Sequence, residues 1–265
     1  QEYTSQVLNE VKELGYDTKN TTLKIKSYLD KERYQQIQET VLAGPYLDDQ
    51  LQVGVAVMNT YGVVIGMVGG RGNTEWNHAT QQTRSSGSSM KPFTAYGPLL
   101  QYFGDSYNTA TRFDTIPYVY PGTSLVMKNY GGATYGMLDI QQSLRWSLNT
   151  PVARIDDEIL GSNRMKTFLS GLGLDVKDTY SANDGIGLDI SPLQAAAAYN
   201  AINNGGVYTE PRFVDEITFV DGTVKKVEPR RRRAMNESVA YTLTQMLRGV
   251  PKQQIGSAPA AEIPQ

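Results

Sequence analysis

The chain has 265 residues, 40% of them apolar, which is enough for one large domain or for a small lobe joined to a core domain. Lys and Arg number 25 against 27 acids, a net charge of −2 that argues against nucleic acid as the main partner. Cysteine is absent and histidine occurs once, at His78, so disulfides, thiolate catalysis and Cys- or His-rich metal sites are excluded, no cofactor is implied, and catalysis needs another base.

The chain opens on Gln1 without a charged-then-apolar leader and holds no long apolar run, so it reads as a fragment without signal or membrane span. Residues 1–48 place apolar groups at helical spacing in YTSQVLNEVKEL and KERYQQIQETVLAG around a short extended TTLKIKSYL, and read as an accessory lobe. Residues 49–265 read as the core domain. It begins with LQVGVAVMNTYGVVIGMVGG, two β-rich runs around Asn59–Gly62 that predict a hairpin. Helical patterns follow in MKPFTAYGPLLQYF, MLDIQQSLRWSL, PVARIDDEIL, NRMKTFLSGLG and PLQAAAAYNAINNGG, the last with Gly205 as a stop. RFVDEITFV and TVKKVEP then flank the hairpin signal Asp221-Gly222 before a last helix, ESVAYTLTQML. Strands at both ends with helices between predict an α+β fold.

Ser88-Ser89-Met90-Lys91, followed by Pro92, is the one Ser-x-x-Lys in the chain. Proline places the run at a helix start, where residues three apart share a face, so the Ser88 hydroxyl and Lys91 amine are expected within hydrogen-bond reach. Burial would make Lys91 a usable base, and the helix N-terminus offers a backbone donor to an oxyanion. A helix-capping serine with a solvated lysine fits the same spacing. Ser-x-Asn occurs at Ser106, Ser147 and Ser181; only Ser147-Leu148-Asn149 lies at a sharp corner between two helical patterns, where ordinary loop capping is the alternative. Trp146 is placed at the cleft or in the core.

These residues resemble the penicillin-binding, penicilloyl-serine transferase family. GSSMKPF (87–93) is similar to its G-S-x-x-K-P-F, SLNTPVAR (147–154) to its S-x-N-x-P run, and GIGLDISPLQAAAAYNAINNGG (185–206) to its next helical segment. LKIKSYLDKERYQQ (23–36) resembles the linker between the glycosyltransferase and transpeptidase modules of class A enzymes, with Ser27-Tyr28 where two threonines are usual. The third signature, Lys-Thr-Gly, does not occur. The run QMLRGVPKQQIGSAPAAEIPQ (245–265) resembles the approach to that strand, so the C-terminal strands are expected to be absent from this chain and to lie in further residues or in a second polypeptide.

The resemblance implies a serine β-lactamase/DD-transpeptidase-like fold, an antiparallel sheet with a helical subdomain. It also implies a D,D-transpeptidase acting on peptidoglycan stem peptides and acylated by β-lactams. Ser88 would be the nucleophile, Lys91 its base, Ser147 a proton relay and Asn149 a substrate ligand, with Trp146 beside them. It further implies an extracytoplasmic enzyme held to the membrane by an N-terminal segment outside these residues. A β-lactamase would need an E-x-x-L-N run, which is missing; a Ser–Ser–Lys amidase would carry its lysine far upstream; a non-catalytic wall-binding scaffold of the same fold stays open.

Overall fold

The computed structural model describes residues 2–44, 46, 48, 50–72, 76–81, 83–176, 181, 183–252, 258 and 261. The end of the 245–265 run, at 253–257, 259–260 and 262–265, therefore lies outside the described residues, as does Ala182 of the third Ser-x-Asn. The chain divides into two compact units, one of residues 1–84, 190–200 and 208–232, the other of 85–189, 201–207 and 233–265.

The first unit is built on a three-stranded antiparallel sheet with Val214–Thr218 in the middle, Lys24–Ser27 on one side and Val224–Lys226 on the other. Both predicted hairpins form. Val55–Met58 pairs with Val64–Val68 across a turn in which the Asn59 side chain accepts from the amides of Tyr61 and Val63, and Gly62 takes the positive φ of 82° that the turn needs. Thr218 pairs with Val224 across Asp221-Gly222. In the Glu2–Glu13 helix, Tyr3, Val7 and Val11 fall four apart on one face and bury against Val64, Met67, Phe213, Val214 and Ile217. Each aliphatic side chain so buried contributes roughly 1.5–3 kcal/mol. The same helix aims Glu10 inward, where its carboxylate accepts from the Arg212 guanidinium at 3.0 Å and from the amides of Phe213 and Val214 at 2.7 and 3.2 Å.

The second unit is mostly helical. Its buried groups include Met90, Phe93, Tyr96, Leu99, Ile155, Phe168, Leu169, Leu243 and Met246, contributed by segments that are far apart in sequence. The Gly97–Phe103 helix packs on both Gly161–Gly171 and Glu237–Leu247. An excursion over 112–139 carries two short antiparallel ladders, Arg112–Asp114 with Met137–Asp139 and Tyr118–Val119 with Val126–Met127. Helix content with antiparallel pairing is the α+β organisation that the sequence predicts.

The helix predicted over MKPFTAYGPLLQYF is not uniform. The stretch after Gly87 is a 3₁₀ turn at Gly87–Met90, a π turn at Pro92–Tyr96 and an α-helix only from Gly97. Pro92 has no N–H to give, and the Thr94 hydroxyl bonds both the Met90 carbonyl at 3.1 Å and the Gly185 carbonyl at 2.6 Å. The Gly97 N–H then reaches the Pro92 carbonyl five residues back, an approach that a Cβ at Gly97 would block by meeting that oxygen at 2.6 Å.

Candidate active site

The site lies within the second unit and starts from Lys91. Its whole side chain is buried, 0% exposed, at the junction of the 3₁₀ and π turns. The amine donates to the Ser147 carbonyl at 2.6 Å, the Ser147 Oγ at 3.1 Å and the Asn149 Oδ1 at 2.7 Å. Three donors thus meet three acceptors, none of them charged. Burial without a counter-ion pushes the Lys91 amine down to about 7. At that value roughly half of the molecules carry a neutral amine at neutral pH. Losing a proton leaves two N–H groups for the two carbonyl-type acceptors and a lone pair able to accept the Ser147 hydroxyl proton.

The corner that presents Ser147 is a helix ending of a specific kind. Asp139 caps the Ile140–Arg145 helix by accepting from the Gln142 amide at 2.7 Å. At the other end the Ser147 N–H bonds the Leu144 carbonyl at 3.0 Å and the Leu148 N–H bonds the Ser143 carbonyl at 2.9 Å. This is a Schellman pair with Ser147 in the left-handed position, φ 56°, where glycine is the usual occupant. Ser147 is the one non-glycine residue with positive φ among the described residues. That conformation turns its carbonyl and hydroxyl together onto Lys91, and strain of this kind concentrates at functional sites.

Ser88 lies one turn before Lys91 and is exposed. Its carbonyl accepts from the Lys91 amide, while its hydroxyl makes no hydrogen bond among the described residues. The expected Ser88–Lys91 hydrogen bond is therefore not formed. The intervening backbone is 3₁₀, and the lysine side chain leaves it for the interior and its Ser147 and Asn149 acceptors. Ser89 differs from Ser88, because its hydroxyl donates to the Ser86 carbonyl at 2.7 Å. Ser86 is itself tied to Leu188, through its amide at 2.8 Å and its hydroxyl at 3.0 Å, so the backbone beneath Ser88 is anchored.

Trp146 is half-buried, with its ring tilted against Tyr135 at 4.9 Å between centroids and its buried indole N–H without a partner among the described residues. The structure thus gathers Lys91, Ser147 and Asn149, sets Ser88 on the turn leading to them and leaves Trp146 next to Ser147 in the chain. Asn129 and the Lys128 carbonyl, which the sequence reading did not single out, grip Asn149 from the other side: the Asn149 amide donates to the Asn129 Oδ1 at 2.8 Å and its Nδ2 to the Lys128 carbonyl at 3.0 Å. Nothing in the local sequence separates Asn129 from an ordinary loop asparagine. Among the described residues, no group of three or more His, Asp or Glu is arranged to hold a metal, and no helix is long and apolar enough to cross a membrane.

Residues 53–265 match the model of the penicillin binding protein transpeptidase domain, and the chain belongs to that family. Penicillin-binding protein 1A of Streptococcus oralis is 34% identical over 266 residues, which covers 94% of this chain and 41% of that protein. The chain thus spans less than half of this curated relative. Among solved structures, the penicillin-binding protein PonA1 from Mycobacterium tuberculosis matches 96% of the chain and 70% of its own at a TM-score of 0.75 and 20% identity. Penicillin-binding protein A from M. tuberculosis, in its imipenem acyl-enzyme complex, matches 99% of the chain and 71% of its own at 0.72 and 20% identity. The fold is thus that of penicillin-binding transpeptidase domains.

Proposed function

We propose that the chain carries the acyl-transfer centre of a class A D,D-transpeptidase that cross-links peptidoglycan stem peptides and is acylated by β-lactams. The observation that carries this reading is a fully buried lysine amine, shared between Ser147 and Asn149, one turn after a serine whose hydroxyl makes no hydrogen bond among the described residues. The acyl-enzyme formed by penicillin-binding protein A of M. tuberculosis, a protein of the same fold, supports it.

Ser88 attacks the carbonyl between the two terminal D-alanines, its proton passing to neutral Lys91 directly or through the Ser147 hydroxyl. The C–N bond breaks as Ser147 returns that proton to the leaving amine, which gives an ester on Ser88 and free D-alanine. An amine from a second stem peptide then attacks the ester and restores the Ser88 hydroxyl. Asn149 holds Lys91 and the substrate amide, with Trp146 at the rim. A Lys-Thr-Gly strand, from further residues or from a second polypeptide, supplies the second oxyanion donor and an edge for the peptide. The chain belongs to an extracytoplasmic, membrane-anchored protein, with residues 1–48 built into the first unit and not standing apart as a lobe of their own.

The test is penicillin labelling of the full-length protein followed by intact-mass measurement. Ser88→Ala abolishes the adduct and Ser89→Ala, whose native hydroxyl is already bonded to Ser86, leaves it. An adduct that persists in Ser88→Ala refutes the assignment.

A further inference from the structure

We propose that Asn129 is a positioning residue for acyl transfer, one that fixes the Asn149–Thr150 backbone at the start of the Thr150–Arg154 helix so that the Asn149 side chain is held on Lys91. The proposal rests on the acyl-transfer reading above. Asn149 occupies the N-cap position of that helix, where an asparagine oxygen ordinarily accepts from the amide two or three residues on, here Pro151, which has none, or Val152. Here it makes no such bond. Its Oδ1 is on the Lys91 amine at 2.7 Å instead.

The cap is supplied from outside the helix. The Asn129 Oδ1 accepts from the Asn149 amide at 2.8 Å, the Thr150 amide at 3.0 Å and the Thr150 hydroxyl at 3.2 Å. Its Nδ2 donates to the Thr115 and Ala133 carbonyls, both at 2.9 Å, so each polar atom of this 6% exposed side chain is engaged. The preceding carbonyl, Lys128, takes the Asn149 Nδ2 at 3.0 Å and fixes which way the amide faces. An asparagine that reads as a loop residue thus fixes, with the neighbouring carbonyl, where another asparagine presents its side chain.

Removing Asn129 strips the Asn149 and Thr150 amides, the Thr150 hydroxyl and the Thr115 and Ala133 carbonyls of their partner, so N129A lowers the melting temperature and also loosens the placement of Asn149 against Lys91. A purely structural asparagine would lower stability without slowing the chemical step of the protein that remains folded.

The experiment follows acylation of the full-length protein by a fluorescent penicillin, resolving the pre-covalent dissociation constant from the first-order acylation constant, in N129A, N149A and the double variant, with thermal melting alongside. N129A is expected to slow the first-order step about 10- to 100-fold with the dissociation constant within about threefold. The double variant should be no slower than the slower single one, because both changes remove the same contact. Wild-type acylation with an unchanged N129A rate, or fully multiplying effects in the double variant, overturns the role of Asn129 alone. A wild-type protein that takes no penicillin at Ser88 overturns the acyl-transfer reading and this role together.

Discussion

If Lys91 is the base, the acylation rate must track the neutral fraction of its amine, and burial sets that fraction. A solvated lysine near 10.4 would be neutral in only about 0.04% of molecules at pH 7. With the amine pushed down to about 7, half of the molecules are competent, a gain of roughly a thousandfold. The rate of penicillin acylation in the full-length protein should therefore rise about tenfold per pH unit below pH 6, bend near 7 and level off above 8, so that pH 5 runs roughly a hundredfold below the plateau. The same shift has a stability side. Because the folded state gives up the proton first, the unfolded state binds more protons between about 7 and the normal lysine value. The burial penalty, on the order of 5 kcal/mol, is thus fully present below pH 7 and is relieved as pH rises through that window. Lys91→Met should abolish acylation and flatten this rise in stability. A wild-type rate that keeps climbing through pH 9 to 10, or that is flat between 5 and 7, would refute the reasoning, since either places the working group elsewhere.

Further outcomes follow from the corner and the turns. Ser147→Gly relieves a left-handed serine, and should raise unfolding stability by about 1 kcal/mol in denaturant titration while slowing acylation at least tenfold. Asn149→Ala removes one of the three acceptors on the Lys91 amine and should slow acylation about 10- to 100-fold with near-normal circular dichroism. Gly97→Ala forces a methyl against the Pro92 carbonyl and should destabilise by about 1–3 kcal/mol in thermal melts; a neutral result would show that the π turn relaxes freely.

Much of this molecule is legible in its sequence, for reasons that differ by region. Both hairpins were readable because Asn59–Gly62 and Asp221-Gly222 carry their turn chemistry locally, and the last helix because its apolar spacing runs without interruption over Glu237–Leu247. The cluster of Lys91, Ser147 and Asn149 was readable as residue types but not as bonds. Periodicity placed Ser88 and Lys91 on one face, whereas the 3₁₀ and π turns around them follow from Pro92, Thr94 and a carbonyl at Gly185, about ninety positions away. Such distant partners leave no mark at the local level. Asn129 is the sharper case, since its meaning lies in bonds to residues about twenty positions on.

The Glu10 clamp has a mechanical consequence. One carboxylate seizes a guanidinium and two successive backbone amides of the segment that enters the middle strand of the first unit's sheet. A tug on the amino-terminal helix is therefore delivered to that strand as a load instead of being absorbed by slack. Tension along this chain should register first as rupture at Glu10, so that a Glu10→Gln protein in an optical trap yields at lower force than the wild type, with the helix peeling away before the sheet opens.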